Sequence, residues 1–413
     1  MTARLLVLFC LFLSPPSALA AAEPAVHERA GLPHVATRAA SGTELRVAYL
    51  GGSITAAEGW RPLTTAWLRG RYPQATVTEI PAGLPGTGSN LGACRLGHDV
   101  LVHQPDLLFV EFAVNDAKTP AESIQRTMEG IVRQTWRANP ATDICFVYTV
   151  SAPGLPDLEA GRFPASAQAM ETVAAHYGIP SVHFGIEVVR RIASGTLAFK
   201  GTTADDHTFS LDGVHPTPAG HRAYFSVLEQ ALPGLLSAPA AQPHALPAAL
   251  RADNWEGASL RPIDAAMRRG AWTQVPPDDP NLRGVTKALL PPTWRTAAPG
   301  AAIEFEFTGR RFGLLGIAAP DSGTFRVTVD GLPPVTDTFF DAYASPTFCR
   351  QREWFYPGEL VGGPHRVRIE LDAAPPDKAA IKAKAGKPLG DPAPYAAQTL
   401  TLSAVLLIGP NPP

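Results

Sequence analysis

The sequence predicts an α/β domain with a doubly wound parallel sheet, followed by an antiparallel, jelly-roll-like β-sandwich. In the first half of the chain, short apolar runs alternate with segments whose apolar residues have helical spacing. Beyond about residue 254 the apolar period changes to two, and long helical patterns stop. Alternating strands and helices are typical of a parallel sheet covered on both faces, whereas period-two strands between turns are typical of a sandwich.

Five near-continuous apolar runs between residues 45 and 184 are the candidate strands of the parallel sheet: LRVAYL, ATVTEI, DLLFVEF, DICFVYTV and IPSVHF. Strands covered on both faces need apolar side chains at nearly every position, and these runs have them. Residues 59–72 and 119–138, which lie between these runs, carry apolar side chains at helical spacing. Helices are therefore predicted to connect the strands.

Composition divides the chain into four parts. Residues 1–20 have a positive residue, an apolar stretch and a final Ala-Leu-Ala, which predicts a cleaved signal peptide and export to the periplasm or the extracellular space. We expect the catalytic domain in residues 21–235, an Ala/Pro-rich linker in 236–252 and the sandwich in 253–413. No later stretch approaches the roughly 20 apolar residues of a spanning helix, so no membrane span is predicted.

The second half contains period-two segments such as AIEFEFTG and GTFRVTVDG, which Gly, Pro and Asp turns separate. This alternation gives each strand one face for a core and one for solvent. Residues 373–394 are rich in Lys, Ala and Pro and are expected to form a surface loop. Three tryptophans are candidates for stacking on sugar rings, with burial in the core as the alternative: Trp272, Trp294 and Trp354.

Charge and cysteine content exclude several classes of function. The formal net charge of −2 over 413 residues gives no electrostatic basis for binding nucleic acid or anionic membranes. Removal of the signal peptide leaves Cys94, Cys145 and Cys349, an odd number, so at least one thiol is free. No Cys/His spacing resembles a zinc site, and we predict no metal site and no cofactor.

Polar residues of the first domain concentrate where its candidate strands end. The loops GGSIT, PAGLPGTGSNLG and AVNDA follow strands, and SLDGVHPTPAGH precedes the last helical segment. In an open parallel sheet, ligands bind outside the carboxyl ends of the strands. These loops hold Ser53, Asn115, Asp212 and His215.

This set of side chains is typical of nucleophilic acyl chemistry. Serine becomes a nucleophile when an imidazole takes its proton, and a carboxylate then fixes the imidazole tautomer. Asp212 and His215 are three residues apart, so one loop can hold both in contact. The tetrahedral intermediate needs donors for its oxyanion, such as backbone N–H groups near glycines and the Asn115 amide. We predict a Ser53, His215 and Asp212 triad.

Four blocks of the sequence closely resemble the SGNH (GDSL-type) hydrolase superfamily. The blocks are GGSIT at 51–55, AGLPGTGSNLGACRL at 82–96, AVND at 113–116 and DGVHP at 212–216, and the resemblance covers roughly residues 46–225. It implies a flavodoxin-like fold and an oxyanion hole made by the Ser53 and Gly86 N–H groups and the Asn115 amide. Gly52 stands where the family usually has Asp, and Ala113 where it has Gly. Neither position supplies a catalytic atom in the family, so the implied roles stand.

Other interpretations of these motifs are weaker. An α/β-hydrolase elbow needs Gly where Thr55 stands, and the segment around Gly86 lacks the Lys of a phosphate loop. We expect Asp116 to hold loop backbone rather than to act as the triad acid. Asp205-Asp206-His207 is expected to be solvated rather than metal-binding. The remaining expectations are structural roles for His98, His103, His176 and His183, and for Trp60 either a pocket wall or a core position.

The sequence therefore predicts an exported serine ester hydrolase. Export, a sandwich partner and the habits of the resembled family favour acetyl or other short acyl groups on carbohydrate as the substrate. Three alternatives stay open: lipase or lysophospholipase action on longer acyl chains, O-acetyl transfer to a glycan, and a non-catalytic glycan-binding protein. The sequence does not specify the acyl length, the sugar or the oligomeric state.

Overall fold

The computed structural model describes residues 22–238 and 242–412. The predicted signal peptide lies outside the described residues. Within them, the two architectures predicted from the sequence are both present, an α/β domain first and an antiparallel sandwich second. None of the described helices is long and apolar enough to cross a bilayer.

The first domain is built on a mixed sheet of six strands in the order β1-β6-β5-β4-β2-β3. Strands β2 to β6 are parallel, and the short edge strand β1 is antiparallel to β6. The order of the five parallel strands is that of a flavodoxin-like sheet. With the separate pair β7 and β8, the strands are β1 (Val26–His27), β2 (Leu45–Gly51), β3 (Val77–Gly83), β4 (Leu107–Glu111), β5 (Asp143–Tyr148), β6 (Ser181–His183), β7 (Ala198–Lys200) and β8 (Thr208–Ser210).

Helices cover both faces of this sheet. One group consists of α4, α5 and α7, and the other of α3, α8 and α9, since contacts between helices fall within these groups. The helices are α1 (Pro33–Ala40), α2 (Ser53–Ala56), α3 (Trp60–Arg71), α4 (Ser89–Asp99), α5 (Ala121–Ala138), α6 (Leu155–Glu159), α7 (Ala165–Tyr177), α8 (Phe184–Ala193) and α9 (Pro218–Leu235). The sheet is therefore doubly wound, as predicted.

The apolar pattern explains why these segments fold as they do. Strands β4 and β5 are buried at every residue, which accounts for their uninterrupted apolar runs. Helix α5 instead buries one face, with Ile124, Met128 and Ile131 at spacings of four and three residues. A segment of this domain thus folds as a strand where its apolar residues are continuous and as a helix where they recur every three or four residues.

The second domain consists of two antiparallel sheets packed face to face. One has the order β10-β13-β18-β15-β16 and the other β11-β12-β19-β14-β17, with β9 also paired to β19. Phenylalanines and branched side chains from both sheets form the core between them. The strands are β9 (Ala258–Pro262), β10 (Arg268–Arg269), β11 (Thr273–Gln274), β12 (Trp294–Thr296), β13 (Ala302–Gly309), β14 (Arg311–Ala318), β15 (Thr324–Val329), β16 (Val335–Thr338), β17 (Arg350–Phe355), β18 (Gly363–Leu371) and β19 (Leu400–Ile408).

The segment 373–394, expected as a surface loop, contains a helix, α10 (Lys378–Lys384). Lys378 on this helix is buried, and its ammonium donates to the carbonyls of Pro320, Tyr395 and Ala397 at 2.8 to 2.9 Å. Burial lowers the pKa of Lys378 to about 8. The three carbonyls anchor the segment to the sandwich, a constraint that its composition does not reveal.

The tryptophans of the sandwich serve mainly its core. Trp354 is buried among the core residues, and Trp272 and Trp294 are half-buried against them. Trp294 is further covered by the Arg268 guanidinium, 3.4 Å from the ring centroid. The three cysteines of the described chain are buried and unpaired.

The two domains share one apolar cluster. Trp255, Leu315, Leu406 and Ile408 belong to the same buried cluster as the core of the first domain. Helix α4 packs on β9 and β19, which brings the second sheet of the sandwich against the helical layer. Buried Glu256 accepts a 2.7 Å hydrogen bond from Arg133 on α5 and also pairs with Arg137. The domains are therefore packed tightly against each other.

Candidate active site

Ser53 is placed by a tight junction between β2 and the short helix α2. Strand β2 ends at Gly51, Gly52 has φ −89° and ψ −152°, and Ser53 begins the helix. A Cβ on Gly51 would overlap Thr55 Oγ1, and a Cβ on Gly52 would overlap the Asn115 amide. Close approach of neighbouring side chains, rather than a left-handed backbone, is therefore why two glycines precede the serine.

Ser53, His215 and Asp212 form a continuous hydrogen-bonded chain. Ser53 Oγ lies 2.9 Å from His215 Nε2, and His215 Nδ1 lies 2.6 Å from Asp212 Oδ2. Residues 53 and 215 are 162 positions apart, yet both lie at the carboxyl edge of the sheet. The structure thus brings together the three side chains that the sequence singled out.

The loop before α9 holds its own carboxylate and imidazole. Asp212 Oδ1 accepts backbone N–H bonds from Val214 and His215, both at 2.8 Å, and a 3.1 Å bond from Ser210 Oγ. Partial burial opposes ionisation of Asp212, but the bonds from the side chain and backbone of His215 and from Val214 hold its pKa well below its usual value. Asp212 is therefore ionised at neutral pH and able to orient the imidazole. Thr217 then caps α9.

Gly86 and Asn115, the predicted oxyanion donors, lie on the loops that follow the two strands next to β2. The loop after β3 begins with a 2.9 Å bond from Leu84 N–H to the Gly51 carbonyl, which ties it to the end of β2. Gly86 follows in a left-handed conformation, with φ +73°. Asn115 comes from the loop after β4, and its Oδ1 is buried with no hydrogen-bond partner among the described residues. Since Oδ1 lies against Gly52, Nδ2 is the end of the amide left to donate.

Glu111 is a buried carboxylate behind the serine that the sequence analysis did not single out. It ends β4 and accepts bonds from Thr55 Oγ1 at 3.0 Å and Thr149 Oγ1 at 2.6 Å, and from the Gly52 backbone. Burial raises its pKa. The sequence signal for this residue is a Glu within the apolar run DLLFVEF, because a glutamate is rarely fully buried unless its carboxylate is paired. Its contacts hold the turn that carries Ser53.

Asp116 lies in the loop after β4, and its carboxylate is at the amino end of α4 rather than in the hydrogen-bonded chain with His215. Its carboxylate accepts the backbone N–H of Ser89 at 3.2 and 3.3 Å, and burial raises its pKa to about 7. It therefore holds loop backbone. Trp60 lies in the core, fully buried against Tyr49, Phe109 and Phe184, so it is not a pocket wall.

The other histidines named above lie away from Ser53. His183 is buried and accepts the Gly185 N–H through Nδ1, and burial lowers its pKa to about 3. Asp206 pairs with Arg222, while Asp205 accepts the backbone N–H of His207 on an exposed loop. Among the described residues, Asp205, Asp206 and His207 are not grouped as potential metal ligands. His98 contacts Asp99, His176 contacts the carbonyl of Ala248, and His103 is exposed.

The second domain reaches the loop that carries Gly86. A Cβ on Gly86 would lie 2.8 Å from Nη1 of Arg350, the first residue of β17. The Arg350 guanidinium donates a hydrogen bond to the Asp341 carboxylate and lies 5.5 Å from the ring centroid of Tyr343. The side chain of Tyr343 is exposed to solvent. Lys387 lies over the same ring at 3.8 Å. An aromatic ring flanked by two cations therefore borders the site, a feature that no local motif predicted.

Comparisons with known proteins agree with this picture. Residues 49–223 match the model of the GDSL-like Lipase/Acylhydrolase family. The chain is similar to the solved structure of a two-domain esterase (CEX) active on acetylated mannans, with 21% identity and a TM-score of 0.71, covering 92% of this chain and 96% of that one. The structure of that esterase co-crystallized with mannopentaose gives 21% identity, a TM-score of 0.70 and coverage of 92% and 95%. The likeness in fold thus extends over both domains. A search of curated proteins finds no match.

Proposed function

We propose that the catalytic triad of this carboxylic ester hydrolase consists of Ser53, His215 and Asp212. The premise is that residues 49–223 are a domain of the GDSL-like lipase/acylhydrolase family. One observation carries the proposal, namely the chain of contacts of 2.9 Å and 2.6 Å that joins the serine hydroxyl, the imidazole and the carboxylate. A nucleophile, a base and an orienting anion in this order are what serine-based acyl transfer requires.

Acylation follows from this geometry. His215 Nε2 takes the proton of Ser53 Oγ as that oxygen forms a bond to the ester carbonyl carbon. Asp212 stabilises the resulting imidazolium and keeps its Nδ1–H in place. The carbonyl oxygen becomes an oxyanion, for which the N–H groups of Ser53 and Gly86 and the Asn115 amide are the proposed donors. Collapse breaks the ester bond, and His215 returns the proton to the leaving alcohol.

Deacylation repeats these steps with water as the nucleophile. The side chains of Asp212 and His215 are 55% and 53% exposed, so bulk water reaches the imidazole that must activate it. An open triad favours hydrolysis over acyl transfer, because transfer requires water to be kept from the acyl-enzyme. We therefore place this protein among hydrolases rather than O-acetyltransferases.

Acetyl or other short acyl groups on carbohydrate are the proposed substrates. The similar two-domain structure is that of an esterase active on acetylated mannans. In this chain, Tyr343 is an exposed side chain beside Arg350, and sugar rings pack on aromatic faces. Lys387 lies 3.8 Å from the ring centroid, so a sugar ring that packs on this face has to displace the ammonium. The predicted signal peptide supports export to a compartment in which polysaccharides are available as substrates. A glycan bound at Tyr343 would present its acyl groups near Gly86.

The serine is tested directly by Ser53→Ala. We expect kcat/KM on a small acetyl ester to fall on the order of 10⁴-fold, because no other group replaces the nucleophile. Ser194→Ala is the matched control, since Ser194 is an exposed helix-end serine that bonds only to nearby backbone and Thr196. Near-wild-type turnover by Ser53→Ala would refute the catalytic assignment.

The substrate class is tested separately with esters of graded acyl length and acetylated polysaccharides, each with and without an acceptor sugar. We expect the highest kcat/KM with acetyl groups and release of free acetate even when acceptor is present. A preference for long acyl chains would indicate a lipase instead, and acetylated acceptor as the main product would indicate a transferase.

A further inference from the structure

A second cluster of chemically active side chains lies at the sheet edge opposite Ser53. Asp143 is the first residue of β5, at the amino end of a strand that runs parallel to β2 through β4. His34 is the second residue of α1, and His244 belongs to the segment between α9 and β9 that leads into the sandwich. Three separate stretches of the chain therefore meet at this point, away from the catalytic edge.

The three side chains direct their polar atoms at one another. Asp143 Oδ1 lies 2.9 Å from His34 Nδ1 and 2.9 Å from His244 Nε2. One ligand atom from each residue can be chosen so that all three lie within 4.8 Å of one another. In a tetrahedral site with bonds of about 2.0 to 2.1 Å, ligand atoms stand about 3.3 Å apart. Small side-chain movements would therefore give three ligands around one ion.

The electrostatics of the cluster favour a cation at its centre. The Asp143 side chain is 0% exposed, and the ion-pair partners it has among the described residues are the two histidines. Its other oxygen, Oδ2, accepts the backbone N–H of Val35 at 2.8 Å. A buried carboxylate needs a compensating charge or a full set of hydrogen bonds, because an unpaired charge is costly in apolar surroundings. A divalent ion between the three side chains would compensate it.

We propose that His34, Asp143 and His244 bind a divalent transition-metal ion, for which zinc is the best match. Two imidazole nitrogens and one carboxylate oxygen are characteristic zinc donors, with water as the fourth ligand, whereas Mg²⁺ and Ca²⁺ prefer oxygen donors alone. On binding, His34 Nδ1 and His244 Nε2 turn their lone pairs to the metal. For neutral rings the displaced N–H proton moves to the other ring nitrogen.

The surroundings already hold the ligands in suitable positions. The His244 ring stacks on Trp136 at a centroid distance of 4.7 Å and an interplanar angle of 14°. The His244 backbone N–H donates to the Pro140 carbonyl at 2.7 Å. Together with the Val35 bond to Asp143, these contacts fix ring and carboxylate orientation, as outer contacts do in metal sites.

The ion has a structural role in this proposal. It joins helix α1, strand β5 and the segment that carries His244, and it thereby fastens the connection between the domains to the first domain. Ser53 stands at the other edge of the sheet, so the ester chemistry does not use the metal. Removal of the metal is accordingly expected to lower stability and to leave kcat/KM on a small ester within about twofold.

The test uses the full-length mature protein, stripped of metal with a chelator and titrated with zinc chloride in a calorimeter. We expect one zinc per chain and a rise of roughly 5 °C or more in melting temperature, with no response to magnesium chloride. X-ray absorption at the zinc edge of the wild-type protein is expected to show nitrogen and oxygen ligands with two imidazoles. Absence of zinc binding would overturn the proposal, and the cluster would then be a hydrogen-bonded contact only.

His34→Gln and His244→Gln are expected to abolish zinc binding while retaining ester hydrolysis as evidence of folding. His176→Gln is the matched control, because His176 contacts the same connecting segment through the Ala248 carbonyl at 2.9 Å but has no part in the cluster. Unchanged zinc stoichiometry in His244→Gln would refute the site. Loss of zinc binding in His215→Ala instead would place the ion at the triad and refute it equally.

Discussion

At the scale of single residues, Gly52 and the Asn115 amide are packed directly against each other. A methyl group on Gly52 would occupy the position of the Asn115 amide. We expect Asn115→Ala to lower kcat about 10² to 10³-fold with a smaller effect on KM, because the amide acts mainly as charge develops on the carbonyl oxygen. Gly52→Ala should reproduce this loss although it removes no polar group.

The measurement is steady-state kinetics on a small acetyl ester. Gly97→Ala on α4 is the control, since a Cβ there meets no atom within 4 Å. An effect of Asn115→Ala confined to KM would make Asn115 a substrate-binding residue. Full activity in Gly52→Ala would show that the amide has room to move, and the proposed oxyanion geometry would be wrong.

Residues whose roles follow from local sequence were accessible to prediction, and residues whose roles depend on packing were not. Ser53 and Asn115 directly follow predicted strands, and Asp212 and His215 precede the last predicted helix, so the order of the elements predicts that they meet at one end of the sheet. Glu111, in contrast, is defined by hydroxyls that arrive from two other elements. Arg350 reaches Gly86 from a different domain, and no periodicity carries that information.

At the scale of elements, the continuous apolar runs predicted strands β2 to β6, whereas no pattern in the sequence predicted the short elements. Strand β1 has two residues, which is too short for any pattern, and it forms only by pairing with β6. Helix α10 has a local N-cap, since the Asp377 side chain accepts the Ala380 N–H at 2.8 Å, but its position on the sandwich is set by the buried ammonium of Lys378. Long elements are decided by their own side chains, and short ones by their neighbours.

Helix α8 contains a pH-dependent element, because its N-cap residue is the buried His183. Burial lowers the pKa of His183 from 6.5 to about 3. Between these values the unfolded chain binds a proton that the folded chain does not, so stability is lost as pH falls below about 6.5. At pH 4.5 the cost is on the order of 2 kcal/mol. His183→Asn keeps a cap acceptor and removes the titration.

We therefore expect urea midpoints of wild type and His183→Asn to converge as the pH is lowered from 7.5 to 4.5. His207→Asn, at an exposed position, serves as the control and should leave the pH dependence of the urea midpoint as in the wild type. An unaltered slope in His183→Asn would show that other groups account for the acid sensitivity.

At the scale of the whole molecule, the sandwich reaches the Gly86 loop of the first domain through Arg350, and Tyr343 lies beside Arg350. Trp272, Trp294 and Trp354 were the aromatic candidates from sequence, but the sandwich core takes up Trp354 entirely and half-buries the other two. Tyr343 is 57% exposed and lies beside Arg350, and it is the ring that we propose as the sugar contact. We expect Tyr343→Ala to raise KM for acetylated polysaccharide about three- to tenfold, the range of one aromatic contact.

The same variant should leave kcat/KM on a small acetyl ester unchanged, because Tyr343 is outside the triad. Phe348→Ala is the matched control, since Phe348 is also an exposed aromatic residue of this domain and is 41% accessible. Equal losses on polymer and small ester in Tyr343→Ala would mean that the ring shapes the catalytic centre rather than binding glycan.

The apolar cluster that runs from the first domain to Leu315, Leu406 and Ile408 has a thermodynamic consequence. Neither domain can open this cluster without exposing the apolar surface of the other, so the two should melt together. In scanning calorimetry we expect one endotherm with equal calorimetric and van't Hoff enthalpies, which marks a single cooperative unit. Two separated endotherms would contradict this. A sandwich of this kind is inseparable from its hydrolase domain, and exchanging it for a different accessory domain would require rebuilding the shared surface.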